Sequence, residues 1–295
     1  MSEFKNYHPI VNFVYFAAVI GFSVVFMNPL CLAAGFVSGF IYSVMLGGTR
    51  VLKFNLYCII PLLFAAVLLN PMINHEGVTI LSYLPDGNPL TMESVVYGAA
   101  SAFMLAGVIC WFSCFNRIMT SDKLIYLFGK LTPALSLMLS MIFRFVPRFA
   151  ERIRIISDGR RCMELDRQDK SVIQKSKNGI RILSAMMSWS LEDSIDTADS
   201  MKCRGYGTGR RTAYSNFRFD RRDAAALLII VIMSVYITVG GINGGLYFKY
   251  FPFIAGSELS PYVISLGAAY CLLFFMPMII EAAEELRWKK LKSRI

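Results

Sequence analysis

Ser200-Met201-Lys202-Cys203-Arg204-Gly205-Tyr206-Gly207 closes a helix-patterned, strongly charged segment that sits between long apolar runs. A reactive pocket is hard to build on such a tip, whereas a lever that docks onto another protein is easy to build. Upstream, between about Gly179 and Cys203, Ile180, Leu183, Met187, Leu191, Ile195 and Ala198 recur at three- and four-residue steps, which places them on one helical stripe. Glu192, Asp196 and Asp199 run beside that stripe and read as a solvated face. An earlier helix is predicted from about Pro147 to Met163, with Phe149, Ile153, Ile156 and Met163 on one face.

Outward from this segment the composition changes. The 295 residues are 56% hydrophobic, and the apolar residues gather into blocks long enough to cross a hydrocarbon core of about 30 Å, which takes roughly 20 helical residues. Spans are expected at about 11–26, 30–46, 54–69, 94–115, 224–239 and 263–280. The net charge is +10, and residues 144–222 carry 18 of the 30 Lys and Arg. Basic residues beside spans mark the cytoplasmic side. Arg50 and Lys53, Arg117, the 144–222 segment and the tail from Arg287 then lie inside, and the 70–91 loop with Glu76 and Asp86 lies outside. Both termini are cytoplasmic in this reading. Pro133–Val146 is apolar but too short for an ordinary span, and is expected at the membrane boundary or packed under the spans.

The expectation is therefore an all-α, polytopic membrane bundle of about six spans with a cytoplasmic helical domain. The predicted divisions are 1–118 (spans one to four), 119–222 (the cytoplasmic domain with two long amphipathic helices) and 223–295 (spans five and six with a basic tail). The seven cysteines fall mostly in apolar runs and read as buried small hydrophobes. No cleavable signal peptide is expected.

Several chemistries are not written in this chain. Gly129-Lys130 lacks the upstream glycine and the Ser/Thr of a phosphate-cradling loop, so ATP driving this protein would be bound elsewhere. His8 and His75 are the only histidines, which leaves no H-E-x-x-H site and no His-based triad. No metal site, cofactor or nucleic-acid partner is expected, and no enzyme activity. Gly205-Tyr206-Gly207-Thr208-Gly209 lacks the strand and helix of a dinucleotide loop; Gly205 suits the left-handed position after a helix end. Arg204 then sits where a helix favours a cation. Gly159-Arg160-Arg161-Cys162 ends the other amphipathic helix in the same way. An arginine fork can meet carboxylates or backbone carbonyls with several hydrogen bonds, so two such tips suggest two equivalent sockets.

At these residues the chain resembles the transmembrane T component of energy-coupling factor (ECF) transporters, a class of ABC importers. That family carries two X-Arg-X motifs, usually Ala-Arg-Gly, at the ends of crossed cytoplasmic coupling helices. Ala198 to Gly207, followed by Arg211-Thr212, resembles the second motif. Arg144-Phe145-Val146-Pro147 resembles the stretch before the first coupling helix, and Thr120-Ser121-Asp122-Lys123-Leu124 the segment after the fourth span. Two departures are visible: Arg161-Cys162 stands where Arg-Gly is usual, and a sixth span follows Ala255. The resemblance covers about residues 90–240. It implies that Arg161 or Arg160 with Cys162, and Arg204 with Cys203 and Gly205, dock into two ABC-type ATPase subunits that hold ATP and Mg²⁺. It further implies that Phe149, Ile153, Ile156, Leu183, Met187 and Leu191 face a membrane-embedded, substrate-binding S component. The chain would then be a noncatalytic coupling subunit for uptake of a vitamin or a metal ion such as cobalt, in the plasma membrane of a prokaryote.

The alternatives are a self-sufficient secondary transporter and a membrane-embedded enzyme. Secondary carriers place ionisable residues within spans or use inverted repeats; spans one to three and five hold no Asp, Glu, Lys or Arg, and no repeat is evident. An enzyme could use Asp193, Asp196 and Asp199, but no His accompanies them.

Overall fold

A computed structural model of the chain describes residues 3–74, 76–83, 89–131, 133–163, 172–208, 217–256 and 260–292. His75, Asp86, Gly209, Arg211 and Thr212, all used above, lie outside the described residues. After a short 3-10 turn at Glu3–Asn6 come α1 (Pro9–Val25), α2 (Pro29–Thr49), α3 (Val51–Ile73), α4 (Met92–Ile118), α5 (Ser121–Leu131), α6 (Pro133–Cys162), α7 (Val172–Cys203), α8 (Arg221–Ile242) and α9 (Pro261–Lys292). Two antiparallel two-stranded ribbons complete the described elements: β1 (Ile80–Tyr83) with β2 (Pro89–Thr91), and β3 (Phe248–Lys249) with β4 (Ala255–Gly256). The protein is an all-α membrane bundle. Five helices, α2, α3, α4, α8 and α9, are long and apolar enough to cross a membrane. The first expected span is the 17-residue α1, which rises only about 25 Å.

The chain forms two compact units, Met1–Thr120 with Phe217–Ile295, and Ser121–Asn216. In the first, helical hydrogen bonding runs from Pro29 to Ile73 and is broken at Gly48, with φ +61° and ψ −157°. That backbone region is open essentially to glycine alone. The break reverses the chain. Asn55 Nδ2 donates to Ser43 Oγ at 2.9 Å, whereas 12 residues of straight helix would hold them about 18 Å apart. Ile59, Phe40 and Phe36 then share one cluster with Ala106 and Cys110 of α4.

Where α2 meets α4 small residues let the helices close: Gly39 lies against Cys110 and Trp111, Gly107 lies against the backbone of Gly35 and Phe36, and Ala102, Ala106, Cys110 and Cys114 are fully buried at four-residue steps. Small residues let backbones approach closely where lipid supplies no hydrophobic drive. Trp111 fills the centre. Its Nε1 donates to the Gly35 carbonyl at 3.0 Å, and the rings of Tyr15, Phe16, Tyr42 and Phe274 surround it, with centroids 5.7–6.2 Å away. Tyr15 ties α1 to α9 by donating to the Leu273 carbonyl at 3.2 Å.

The ends of these helices alternate between two faces. On one, the His8 amide donates to Asp223 at 3.3 Å, and Arg222 lies over Tyr7 and pairs with Glu284 at 3.5 Å. On the same face Tyr42 donates to Glu281, and Arg117 donates to the Leu46 carbonyl at 3.1 Å. On the other face Ser94 donates to the Asn74 carbonyl at 2.7 Å, and Glu93 accepts from the Thr79 hydroxyl at 2.7 Å. There Tyr250 donates to the Met27 carbonyl at 2.6 Å. Burial, with Tyr97 beside it, pushes the Tyr250 hydroxyl up to about 12, so it stays a neutral donor.

In the second unit the structure revises the expected start points. Pro133–Val146 is not a separate helix but the first half of the 30-residue α6, which continues through Pro147. Proline removes one hydrogen bond from a helix interior and usually kinks it; here the helix carries on. Helix α7 likewise begins at Val172, two turns before the expected start at Gly179.

Candidate docking site

The second unit is organised by the pairing of α6 with α7. Arg148 meets Asp193 at 2.9 Å, Phe149 meets the Trp189 ring edge-on at 5.9 Å, and Arg160 Nη2 donates to Asn178 Oδ1 at 3.4 Å. As the α6 number rises the α7 number falls, so the helices run antiparallel. Arg161, next to Arg160, therefore lies by Asn178, and Arg204 ends α7 in the opposite direction. The 26 residues from Asn178 to Arg204 separate the tips by about 39 Å at 1.5 Å per residue.

The two tips are built differently. At the α7 end the Gly205 amide donates to the Lys202 carbonyl at 2.9 Å and the Tyr206 amide to the Met201 carbonyl at 3.0 Å. Those two bonds with Gly205 at φ +82° make a Schellman end, and leave Arg204 as the last, exposed residue before the turn. Thr208 Oγ1 caps the turn by donating to the Gly205 carbonyl at 2.7 Å. At the α6 end Met163 still donates to the Gly159 carbonyl at 3.2 Å, so the helical pattern runs past Cys162 with no glycine stop. Arg161 is exposed and only loosely paired with Asp158 at 3.8 Å. Arg160 is half-buried and turned toward α7.

The apolar stripe of α7 does not face α6. Asn178, Ile182, Met186, Trp189, Asp193 and Thr197 form the covered side of α7, while Ile180, Leu183, Met187, Leu191 and Ile195 are exposed. On α6, Phe149 and Ile156 are half-buried and Ile153 is exposed. The six residues expected to form one contact surface are thus divided: Phe149 packs on Trp189, whereas Leu183, Met187 and Leu191 project outward. The covered side of α7 is a mixture, apolar at Ile182, Met186 and Trp189 and polar at both ends. An amphipathic helix packed by such a mixed side leaves its apolar stripe for something else to cover.

Sequence reasoning missed Trp189 and Arg148, and weighed Asp193 only as an enzyme carboxylate rather than as the partner of Arg148. The available signal was a lone tryptophan in a charged helix, with Arg148 and Arg152 four apart on the partner helix. The cysteines need correction: Cys31, Cys110 and Cys114 are buried, but Cys58, Cys162, Cys203 and Cys271 are exposed. Cys162 and Cys203 adjoin the two arginine tips, and the other two lie on outward faces of apolar helices. No cluster of three or more His, Cys, Asp or Glu suited to a metal occurs among the described residues.

No protein-family model matches the chain. It is 30% identical over 102 residues to the energy-coupling factor transporter transmembrane protein EcfT of Lactococcus lactis subsp. cremoris, covering 34% of this chain and 38% of that protein. It is also 30% identical over 104 residues to EcfT of Streptococcus equi subsp. equi, covering 35% and 39%. Over that third of its length the chain is EcfT-like. EcfT of Limosilactobacillus fermentum is 28% identical over 109 residues, covering 37% and 41%. The chain thus spans about two fifths of the length of the curated relatives it matches. Each of those relatives is a transmembrane protein of a transporter.

Proposed function

We propose that this chain is the noncatalytic coupling subunit of an ECF-type importer, with residues 119–222 as its cytoplasmic coupling domain. Arg161 and Arg204 dock into two separate ABC-type ATPase subunits, which supply the ATP and Mg²⁺ site that this sequence lacks. Leu183, Met187 and Leu191, with Ile153, press against a membrane-embedded S component that selects the cargo, a vitamin or a metal ion. The bundle sits in a prokaryotic plasma membrane with both ends of the chain in the cytoplasm, as the placement of Lys and Arg favours.

The observation that carries this reading is the antiparallel pair, with one exposed arginine at each end and an apolar stripe turned outward between them. Tips about 39 Å apart suit two sockets on two subunits better than one socket on one. Exposure supports Arg161 over Arg160 as the first docking residue, since Arg160 already serves the α6–α7 contact. Likeness to EcfT supports the transporter assignment independently of this geometry.

Co-expression with ABC-type ATPases, followed by capture of the tagged chain from mild detergent, tests the proposal. Arg204→Glu is expected to abolish uptake and weaken ATPase capture while membrane insertion is unchanged. Undiminished capture and uptake by the double variant Arg161→Glu/Arg204→Glu would overturn the docking assignment.

A further inference from the structure

We propose that the groove near the starts of α2 and α4 holds one acyl chain of a membrane phospholipid, with Lys249 meeting the phosphate of its headgroup. The proposal rests on the membrane bundle alone and is independent of the docking reading above.

The groove measures about 260 Å³. Leu32 of α2, Ala100 of α4 and the ring of Tyr250 form its buried floor, and Ala33, Ala99 and Phe103 stand along its edges. Ala33 and Phe103 are exposed and Ala99 is half-buried, so the groove opens outward from the bundle. It exists because alanines stand where larger side chains would close the gap between the helices. Ala33, Val37 and Ile41 are exposed at four-residue steps, and they continue the α2 edge as an apolar stripe toward the other face. Ala33 lies one turn, about 6 Å, from the start of α2 at Pro29, and Phe103 lies about 16 Å from the start of α4 at Met92. The groove therefore occupies one leaflet of a hydrocarbon core about 30 Å thick.

Tyr250 closes the end of the groove nearest the helix starts. Its hydroxyl donates to the Met27 carbonyl at 2.6 Å, and its ring meets those of Phe248 at 4.8 Å and Tyr97 at 5.6 Å. With the hydroxyl engaged on Met27, Tyr250 offers the groove only its ring. A buried water needs about two to four polar partners, and this lining supplies none, so the groove stays dry. An unfilled gap would forfeit the dispersion contacts of the side chains that line it, and the apolar chain at hand within a leaflet is a lipid tail. A tail gains no hydrophobic free energy by leaving other tails. Packing in the groove and a contact at the headgroup therefore decide whether one lipid is retained.

The headgroup contact is set by charge. The segments that join helices at this end, 70–91 and 243–260, contain a single basic residue, Lys249. It is exposed and adjoins Tyr250 in the chain. Its neighbours Tyr247, Phe248, Phe251 and Phe253 give this stretch the aromatic composition of a membrane–water interface. From there a lysine reaches a phosphate by laying its flexible stem along apolar surface.

The site is tested with the full-length chain in vesicles of phosphatidylcholine and phosphatidylglycerol, the latter carrying a diazirine midway along one acyl chain. After illumination, labelled peptides are expected to concentrate on 29–33 and 96–103. The outward face of α3, at Tyr57 and Phe64, sets the level for ordinary surrounding lipid. Native mass spectrometry from mild detergent is expected to show a phosphatidylglycerol retained on each chain. Ala33→Leu/Ala99→Leu fills the groove with apolar side chains and is expected to abolish both signals. Lys249→Gln leaves the groove open. It is expected to keep labelling on the groove while lowering phosphatidylglycerol retention by about fivefold, with phosphatidylcholine retention unchanged.

Labelling of the groove no stronger than that of α3 overturns the site. So does unchanged retention in Ala33→Leu/Ala99→Leu that unfolds at the parent's temperature. If that variant does not fold, the labelling pattern of the parent and the Lys249→Gln comparison still decide. Unchanged phosphatidylglycerol retention in Lys249→Gln overturns the headgroup contact. A lipid-free dimer that Ala33→Leu/Ala99→Leu breaks into single chains would assign the groove to a second copy and overturn the lipid.

Discussion

In the six-helix unit α3 turns Phe54, Tyr57, Ile60 and Phe64 outward, each more than half exposed; in the other unit α7 turns Ile180, Leu183, Met187, Leu191 and Ile195 outward to a similar degree. The surroundings differ. Lys53 is the one charged residue of α3, so its outward face is apolar along most of its length and suits hydrocarbon. The α7 stripe is bordered by Arg181, Glu192, Asp196, Asp199 and Lys202, charges that favour water beside an apolar surface that favours cover. A surface with its own apolar patch and polar rim would meet both demands, which is the anatomy of a protein interface and the arrangement proposed above. The interiors differ in the opposite sense. The bundle closes on small residues and a ring cluster around Trp111, whereas the pair closes on one aromatic–arginine knot with a thin apolar margin and polar ends.

If that contrast is right, the bundle should be far more sensitive to an interior truncation than the pair is to losing its stripe. Trp111→Ala removes a fully buried ring and the donor to Gly35, and is expected to cost about 3–5 kcal/mol. Thermal unfolding in detergent reads the loss, and a loss below about 1 kcal/mol would mean that the ring cluster is not the centre of the bundle. The next effect down is at the α2–α3 reversal. Gly48→Val puts a β-branched residue at φ +61°, and is expected to cost about 1–3 kcal/mol. A neutral Gly48→Val would show that the chain reverses by some other backbone path.

How much of this was legible in sequence follows from what hydrophobic period can encode. Length and apolar composition located every helix of the bundle, because lipid imposes one simple rule on all of them. The end of α7 was legible for a local reason: the glycine that the left-handed position demands is Gly205, next to the arginine. The α6 end was less legible because Cys162 offers no such stop, and only the three-dimensional pairing separates outward Arg161 from inward Arg160. The reversal between α2 and α3 was legible, because Arg50 and Lys53 interrupt the apolar pattern between 46 and 54; that Gly48 makes it in a single residue was not, since helical hydrogen bonding continues on both sides. Pro147 misled for a physical reason too, for a proline marks a probable helix start and yet is tolerated inside a long helix. The α7 stripe was found correctly, but period alone names an apolar side without saying what lies against it. The face that meets α6 mixes Ile182 and Met186 with Asn178, Asp193 and Thr197, and the longer outward stripe outweighs so broken a pattern.

The smallest expected effect on stability is also the sharpest test of the comparison. Leu183→Gln with Leu191→Gln changes two exposed positions of α7 and keeps helix propensity nearly constant. Each is expected to move unfolding by no more than about 0.5 kcal/mol, as surface substitutions do. Uptake, by contrast, should fall sharply if the stripe is pressed against another membrane subunit, because two glutamines would bring polar groups into an apolar contact. The matching substitution in the bundle, Phe64→Gln, should act through insertion instead, lowering the amount of protein in the membrane while leaving the uptake of each inserted copy intact. Quantifying membrane-inserted protein alongside transport separates the two. Normal uptake with Leu183→Gln/Leu191→Gln would mean that the outward stripe of α7 is not an interface, and the contrast between the two exposed faces would reduce to one of charge alone.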